Sequence, residues 1–325
     1  MPFNRRILLQ LGSALLAAPV LNSVHAQAWP TRPLRIVIPF APGGTSDVIA
    51  RLLSTPLGEA LGVSVLVENR AGASGNLGAG VVAQANDQHT VLLTDVVTTA
   101  LSPVVARDLP YKLDDFRGVS MLAYSPHLLV AHPSVAATNL KELVALSKIK
   151  PINVASAGSG SPNHLGVVEI AQALGMQWQH VPYKGGAQAL ADTASGSTDI
   201  VLNGMLATLP LVQAGRLKAL EVSKKGRVPL LPNVPTVAEQ GVPTYESGTY
   251  QGMIAPASMP KAFVEKLNRE VIRIIRSPEM RARLVAAGAE ALTSSPNETT
   301  EFMLKERERW ERVIKAAGTK LEGTA

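Results

Sequence analysis

A chain of 325 residues is too long for one ordinary core and comfortable for two α/β domains. With 46% apolar and 17% charged residues it reads as globular, and the absence of cysteine excludes disulfides, zinc–thiolate sites and a cysteine nucleophile. Only 4% of residues are aromatic, too few to stack sugars or single-stranded nucleic acid, and the net charge of +6 is scattered apart from Lys224-Lys225-Gly226-Arg227 rather than gathered into a nucleic-acid-binding stripe.

Residues 1–28 read as a targeting segment. Arg5-Arg6 precede an apolar run from Ile7 to Val20 that is short for a membrane span. Val24-His25-Ala26 and Ala26-Gln27-Ala28 offer small residues for signal cleavage, and Asn4-Arg5-Arg6-Ile7-Leu8 is similar to a twin-arginine signal. The expectation is a soluble exported protein whose fold begins near residue 29. Whether export is by the Sec or the twin-arginine route stays open.

Leu34 to Pro39 is short, apolar and β-branched, the pattern of a buried strand. It ends in the turn cluster Phe40-Ala-Pro-Gly-Gly-Thr-Ser-Asp47. A helix follows with Ile49, Leu52, Leu53, Leu57 and Leu61 on one face, and Pro56 is expected to bend or break it near Thr55. Strands are expected at Val63–Val67 and Thr90–Thr94, with a helix from Leu77 to Ala85 between them. The pattern restarts with a strand at Leu128–Ala131, a helix at Asn139–Lys148 and a strand at Asn153–Ser156. A helix at His164–Leu174, a strand at Trp178–Val181, a helix at Ala187–Ser195 and strands at Ile200–Leu202 and Leu217–Val222 complete it. Strand–helix alternation of this kind predicts parallel sheets with helices on both faces. Two amphipathic helices, at 260–277 and 278–287, and a long charged helix at 297–317 complete the expected elements.

Three loops share a plan: Pro42–Asp47, Gly72–Gly78 and Ala157–Asn163 each follow a strand, are rich in Gly and Ser, and open a helix. Helix N-termini present unpaired N–H groups and partial positive charge, and glycine lets the backbone approach a ligand, so such loops hold anions without Arg or Lys. In open α/β sheets the ligand lies at the carboxyl ends of the strands, where these loops sit. Asp47 fits two roles, a helix cap or an acceptor for a ligand donor. Thr94, Asn163 and Asn203 join the candidates from their places after strands. Enzyme templates are absent: Gly158-Ser-Gly-Ser-Pro162 lacks the closing glycine of a nucleophile elbow, no phosphate-binding loop or dinucleotide fingerprint occurs, and the histidines show no metal-ligand spacing. No cofactor or metal is expected. His164 and His180 read as cap or core residues.

At these loops the chain resembles the Bug family, the periplasmic receptors of tripartite tricarboxylate transporters. The likeness is carried by Trp29-Pro-Thr-Arg-Pro-Leu-Arg-Ile-Val-Ile-Pro-Phe-Ala-Pro-Gly-Gly44 with Asp47 and Ala50-Arg51, and by Val67-Glu-Asn-Arg-Ala-Gly-Ala-Ser-Gly75. It continues through Ala155-Ser-Ala-Gly-Ser-Gly-Ser161, His180-Val-Pro-Tyr-Lys-Gly185, Ala214-Gly-Arg-Leu-Lys-Ala-Leu220, Val234-Pro-Thr-Val-Ala-Glu-Gln-Gly241 and Ala255-Pro256. The resemblance implies an α/β, two-lobed periplasmic binding protein of type II character. Lobe one combines 29–126 with 252–325, lobe two is 127–251, and a two-strand hinge lies near Tyr124–Leu129 and Gly248–Met253. It implies a ligand-binding set of Phe40, Gly44, Asp47, Ser74, Gly75, Ser156, Gly160 and Tyr183. It also implies a small organic carboxylate as ligand, a membrane permease as partner, a monomeric state and no covalent chemistry. A sensory receptor reporting to a membrane kinase is the alternative, and a hydrolase or lyase a remote one. One departure stands out: where the family has Asp-Gly, this chain has Asp87-Gln88, so the turn is expected to avoid a glycine-only conformation.

Overall fold

The computed structural model describes residues 29–106 and 108–317; the targeting segment lies outside them. The described residues form ten strands and ten α-helices, which alternate until two strands and then two helices follow one another near the end. The strands are β1 (Leu34–Ile38), β2 (Val65–Asn69), β3 (Thr90–Asp95), β4 (Phe116–Ala131), β5 (Ile152–Ser156), β6 (Trp178–Pro182), β7 (Ile200–Gly204), β8 (Lys218–Val222), β9 (Gly248–Pro256) and β10 (Glu290–Ala291). The helices are α1 (Thr45–Leu61), α2 (Asn76–Ala83), α3 (Val96–Val105), α4 (Leu140–Ser147), α5 (Pro162–Leu174), α6 (Gly186–Ser195), α7 (Met205–Gln213), α8 (Lys261–Ile275), α9 (Pro278–Ala286) and α10 (Pro296–Ala317).

The strands run in the order β2-β1-β3-β9-β4-β7-β5-β6, with β8 and β10 also pairing β4. Two parallel sets, β2-β1-β3 and β6-β5-β7, are thereby joined by the antiparallel strands β4 and β9. The first part of β4, Phe116 to Pro126, pairs with β9, and the last part, His127 to Ala131, pairs with β7. One strand thus belongs to both halves. The parallel strands carry apolar runs because helices cover both faces. Ile36, Ile38, Leu53, Leu57 and Val271 are fully buried in one core of the first half, and Val154, Ile200, Leu202 and Val167 build a core of the second.

Several expectations need correction. Pro56 does not break α1, which runs unbroken through it. The ring forfeits one backbone bond, but Leu53 and Leu57 on either side are fully buried, and their packing holds the helix. Gln88 does adopt the conformation expected to be avoided, at φ 58°. A non-glycine residue tolerates that region at modest cost. Here Asp87 accepts from His89 N at 2.9 Å and Thr90 Oγ1 at 2.8 Å, and the Trp29 indole donates to Gln88 O at 2.8 Å. The second strand lies two residues later than expected, at Val65–Asn69. Helices α3 and α7 and the short strand β10 have no counterpart in the expected elements, β9 extends the hinge strand expected near Gly248–Met253 to Pro256, and β4 begins twelve residues before the expected Leu128.

Candidate functional site

The first turn of α1 forms one wall of a cleft between the two halves. Gly43 takes a left-handed turn at φ 86°, and Gly44 then stands as N-cap in an extended conformation with no side chain capping the helix. Gly44, Thr45, Ser46 and Asp47 all line the cleft cavity, so the open donors of the helix start face it. The Asp47 carboxylate is fully engaged by its neighbours. Its Oδ2 accepts from Gly43 N at 3.0 Å and Arg51 Nε at 2.9 Å, and its Oδ1 accepts from Arg51 Nη2 and Asn69 Nδ2 at 3.0 Å each. Burial alone raises this carboxyl. The Arg51, Gly43 and Asn69 bonds outweigh burial and hold it below the usual carboxylate range. Asp47 therefore shapes the Pro-Gly-Gly turn, and Asn69 completes the tie by donating to Phe40 O at 3.1 Å.

The opposite wall comes from α5 and α6. Ser161 caps α5 by accepting from His164 N, and Pro162 follows at the first helical position. Asn163 donates to Leu202 O at 2.9 Å and to Asn203 Oδ1 at 3.3 Å. Helix α6 opens at Gly185, again without a side-chain cap. A Cβ on Gly186 would lie 2.3 Å from Asn203 Oδ1, so only glycine lets α6 start this close to Asn203. The floor comes from β9 and α3: Thr249 and Gln251, with Ser46 Oγ donating to Gln251 Oε1 at 2.7 Å, and Asp95 with Thr98.

The two halves touch around this cavity. Ser74 Oγ donates to Ser159 O at 3.3 Å. A Cβ built on Gly43 would stand 3.8 Å from Ala187 Cβ, and one on Gly185 would stand 3.4 Å from Ala41 N. The cleft is shut.

Of the residues expected from sequence, Phe40, Gly44, Asp47, Asn163 and Asn203 come together on the cavity wall. Ser74 and Tyr183 lie at a separate shallow opening with Gly158 and Lys184. The Tyr183 hydroxyl donates to Asp192 Oδ2 on α6 at 2.7 Å, and burial and this acid push it up to about 12. Gly75, Thr94, Ser156 and Gly160 stand behind the walls. Gly75, at φ 95°, packs against the Phe40 ring, and Thr94 Oγ1 donates to Asp95 O. Ser156 Oγ shares a 2.7 Å bond with His180 Nε2 and accepts from Gly158 N. Gly160, at φ 72°, sits against Val105. Residues that sequence reasoning missed include Thr45, Ser46, Asp95, Thr98, Ser161, Gly186, Thr249 and Gln251. Thr45 and Ser46 adjoin Gly44 in the loop already singled out. Thr249 and Gln251 fall in the segment expected only as a hinge strand, and nothing in its pattern says which side chains face the cleft.

Behind the Ser-Gly loop, His164 and His180 stack at 4.0 Å between ring centroids, 17° from parallel. Burial, with His180 as second cause, pushes His164 down to about 4, and burial lowers His180 as well. Both are neutral at pH 7. Neutral His164 accepts from Gly160 N through Nδ1 at 3.2 Å. Among the described residues, no group of three His, Cys, Asp or Glu side chains is arranged to hold a metal ion.

Two α/β halves shut over a cleft lined by helix starts and neutral polar groups define a solute-binding protein of the periplasmic-binding-protein fold. A family model described as the tripartite tricarboxylate transporter family receptor matches residues 49–319, and the chain belongs to that family, the Bug receptors. It is 33% identical to protein BugT of Bordetella pertussis over 98% of this chain and 99% of that one. Among solved structures it is similar to Rpa4515 of R. palustris with adipate, with a TM-score of 0.85 and 34% identity over 89% of this chain and 98% of the other. It is also similar to MatC of Rhodopseudomonas palustris with bound malate, with a TM-score of 0.82 and 31% identity over 88% and 99%.

Proposed function

We propose that this protein is an extracytoplasmic receptor that captures a small organic carboxylate between its lobes and delivers it to a tripartite tricarboxylate-type permease without altering it. The observation that carries this reading is the convergence of α1, α5 and α6 on one cavity, with α1 and α6 left uncapped by any side chain. Two relatives of the same fold were solved with adipate and with malate, both carboxylates. Magnitudes agree with such a ligand. A micromolar site needs about 8 kcal/mol. Helix ends contribute about 0.3–2 kcal/mol each, so several charge-assisted bonds of about 1.5–3 kcal/mol must add to them. Thr45, Ser161 and Gln251 line the cavity with side-chain groups able to donate these bonds. The moving units in this reading are 29–126 with 252–325 and 127–251, turning about β4 and β9. The protein works as a monomer in the periplasm, delivered there by cleavage of residues 1–28.

A thermal-shift screen of organic acids tests the reading. A cognate acid raises the melting temperature by mass action, about 2.7 kcal/mol of stabilisation at a hundredfold excess over Kd. Gly44→Val retains the fold, since the nearest atom to its Cβ is 3.8 Å away, but fills the cavity and abolishes the shift. A protein that responds only to sugars or metals, or a Gly44→Val variant with full response, rejects the carboxylate site.

A further inference from the structure

Asp95 is an acid on the cavity wall whose two oxygens are unequally used. Its Oδ1 accepts from Val97 N and from Tyr250 N at 3.2 Å each, which caps α3 and ties it to β9. Its Oδ2 has only the Thr98 hydroxyl at 3.5 Å, at the limit of a hydrogen bond. The side chain is 4% exposed. A helix cap needs one oxygen, and a neutral Asn or Ser serves as well, so capping does not account for an acid with a spare acceptor beside the ligand's place.

The surroundings define what that acceptor meets. Thr98 on its own helix and Tyr250 on β9 adjoin it, and α10 brings Glu306, which is paired with Arg309 at 3.3 Å. From α1, Asp47 lines the same cavity but is engaged by Arg51. From the second half, Ser161, Asn163 and Asn203 are neutral. Burial, with Glu306 adding to it, pushes the Asp95 carboxyl up to about 7 against the Tyr250 and Val97 bonds. An acid ligand that simply pressed a second anionic or apolar group against this wall would repel Asp95 or leave it unsatisfied. A ligand bearing a hydrogen-bond donor there satisfies it.

Resting on the carboxylate reading above, we infer that Asp95 is the specificity-determining residue of the cleft, selecting acids that carry an ammonium or hydroxyl group over their unsubstituted counterparts. The carboxylate goes to the helix starts, and the donor goes to Asp95 Oδ2. Binding an amine then favours the ionised form of Asp95.

Calorimetry on matched series tests this: succinate, malate and aspartate; propionate, lactate and alanine; butyrate and 4-aminobutyrate. In at least one series the hydroxy or amino acid binds at least tenfold tighter than the unsubstituted acid. The amine's advantage grows from pH 6 to pH 8, and a hydroxyl's advantage changes less. Asp95→Asn, which keeps a good helix cap, loses the preference, so that the substituted and unsubstituted acids of each series bind alike. Should that variant fail to fold, the wild-type pH series alone decides. Unsubstituted acids binding equally well in every series, or an amine advantage that does not grow from pH 6 to pH 8, overturns the inference and leaves the carboxylate reading intact. Absence of binding by every acid overturns both.

Discussion

Glu221 on β8 has no exposed surface; its Oε2 accepts from Gln240 Nε2 at 3.2 Å and its Oε1 has no partner. Burial pushes this carboxyl up to about 8 from an ordinary 4.5. Between those values the folded protein holds one proton more than the unfolded chain. Stability therefore falls as pH rises through that window, by about 1.4 kcal/mol per pH unit, and is lowest above 8. Glu221→Gln cannot ionise and removes that slope. Urea unfolding at pH 6 and pH 8.5 is expected to show the variant gaining at least about 1.4 kcal/mol on the wild type between the two. Parallel curves for the two proteins would show that Glu221 is ionised in the fold. Single residues were legible in the sequence where chemistry is local. Gly44 and Asn163 stand on the cavity wall because a loop between strand and helix announces itself by composition. Asp95 was passed over for its neighbour Thr94, because in a strand one step exchanges faces and nothing in the residues near Thr94 says which face meets the cleft.

At the scale of elements, packing overrode local pattern in both directions. Helix α3, Val-Val-Thr-Thr-Ala-Leu-Ser-Pro-Val-Val, has strand-like composition and a proline, yet it is helical with its first seven residues buried. Strands β4 and β9 carry glycine and proline and lack clean alternation, because both faces are covered along most of their length. The Ser-Gly loop before α5 owes its shape to an element that composition does not announce, the stacked His164 and His180. His164 is held down at about 4 by burial and by His180, whereas an unfolded histidine titrates near 6.5. Between pH 6.5 and 4 the unfolded chain binds one proton more, so stability drops on acidification by about 1.4 kcal/mol per pH unit on this account. His164→Asn supplies an uncharged acceptor for Gly160 N. It is expected to flatten the acid limb of the stability curve while keeping ligand affinity within a few-fold. His164→Ala leaves that N–H unpaired and costs affinity about fivefold, the worth of about one hydrogen bond. A variant pair with identical acid limbs and affinities would show the stack to be mere filling.

The whole molecule turns on how few connections join its halves. β4 runs from one sheet into the other, and the chain returns through Ser247 into β9. There His127 Nδ1 and Ser247 Oγ lie 2.6 Å apart, and Ser223 Oγ accepts from His127 N at 2.8 Å. The return is tight: a Cβ on Gly248 would lie 2.5 Å from the Tyr124 ring. At the rim of the cleft the halves meet through Gly43 against Ala187, Gly185 against Ala41, Ser74 against Ser159 and Gly160 against Val105, while nearer β4 Met205 packs against Gly288 and Leu206 joins the core of the first half. The rim contacts are slight and contribute little to holding the loops together in the absence of a ligand. In the function proposed above, they allow the loops to come together when donors from both sides grip one molecule. A bulky group at that seam separates gripping from folding. Ala187 is half-buried on the outer turn of α6, outside both cores of the second half. Ala187→Phe is therefore expected to leave the ligand-free melting temperature near that of the wild type, within the roughly 0.5 kcal/mol typical of surface changes. It props the Gly43 turn away, so calorimetry shows affinity for the cognate acid reduced at least tenfold. Small-angle scattering shows the variant failing to compact when ligand is added, whereas the wild type contracts. Wild-type affinity in Ala187→Phe would mean that the ligand is held by one half alone and that closure plays no part in its capture.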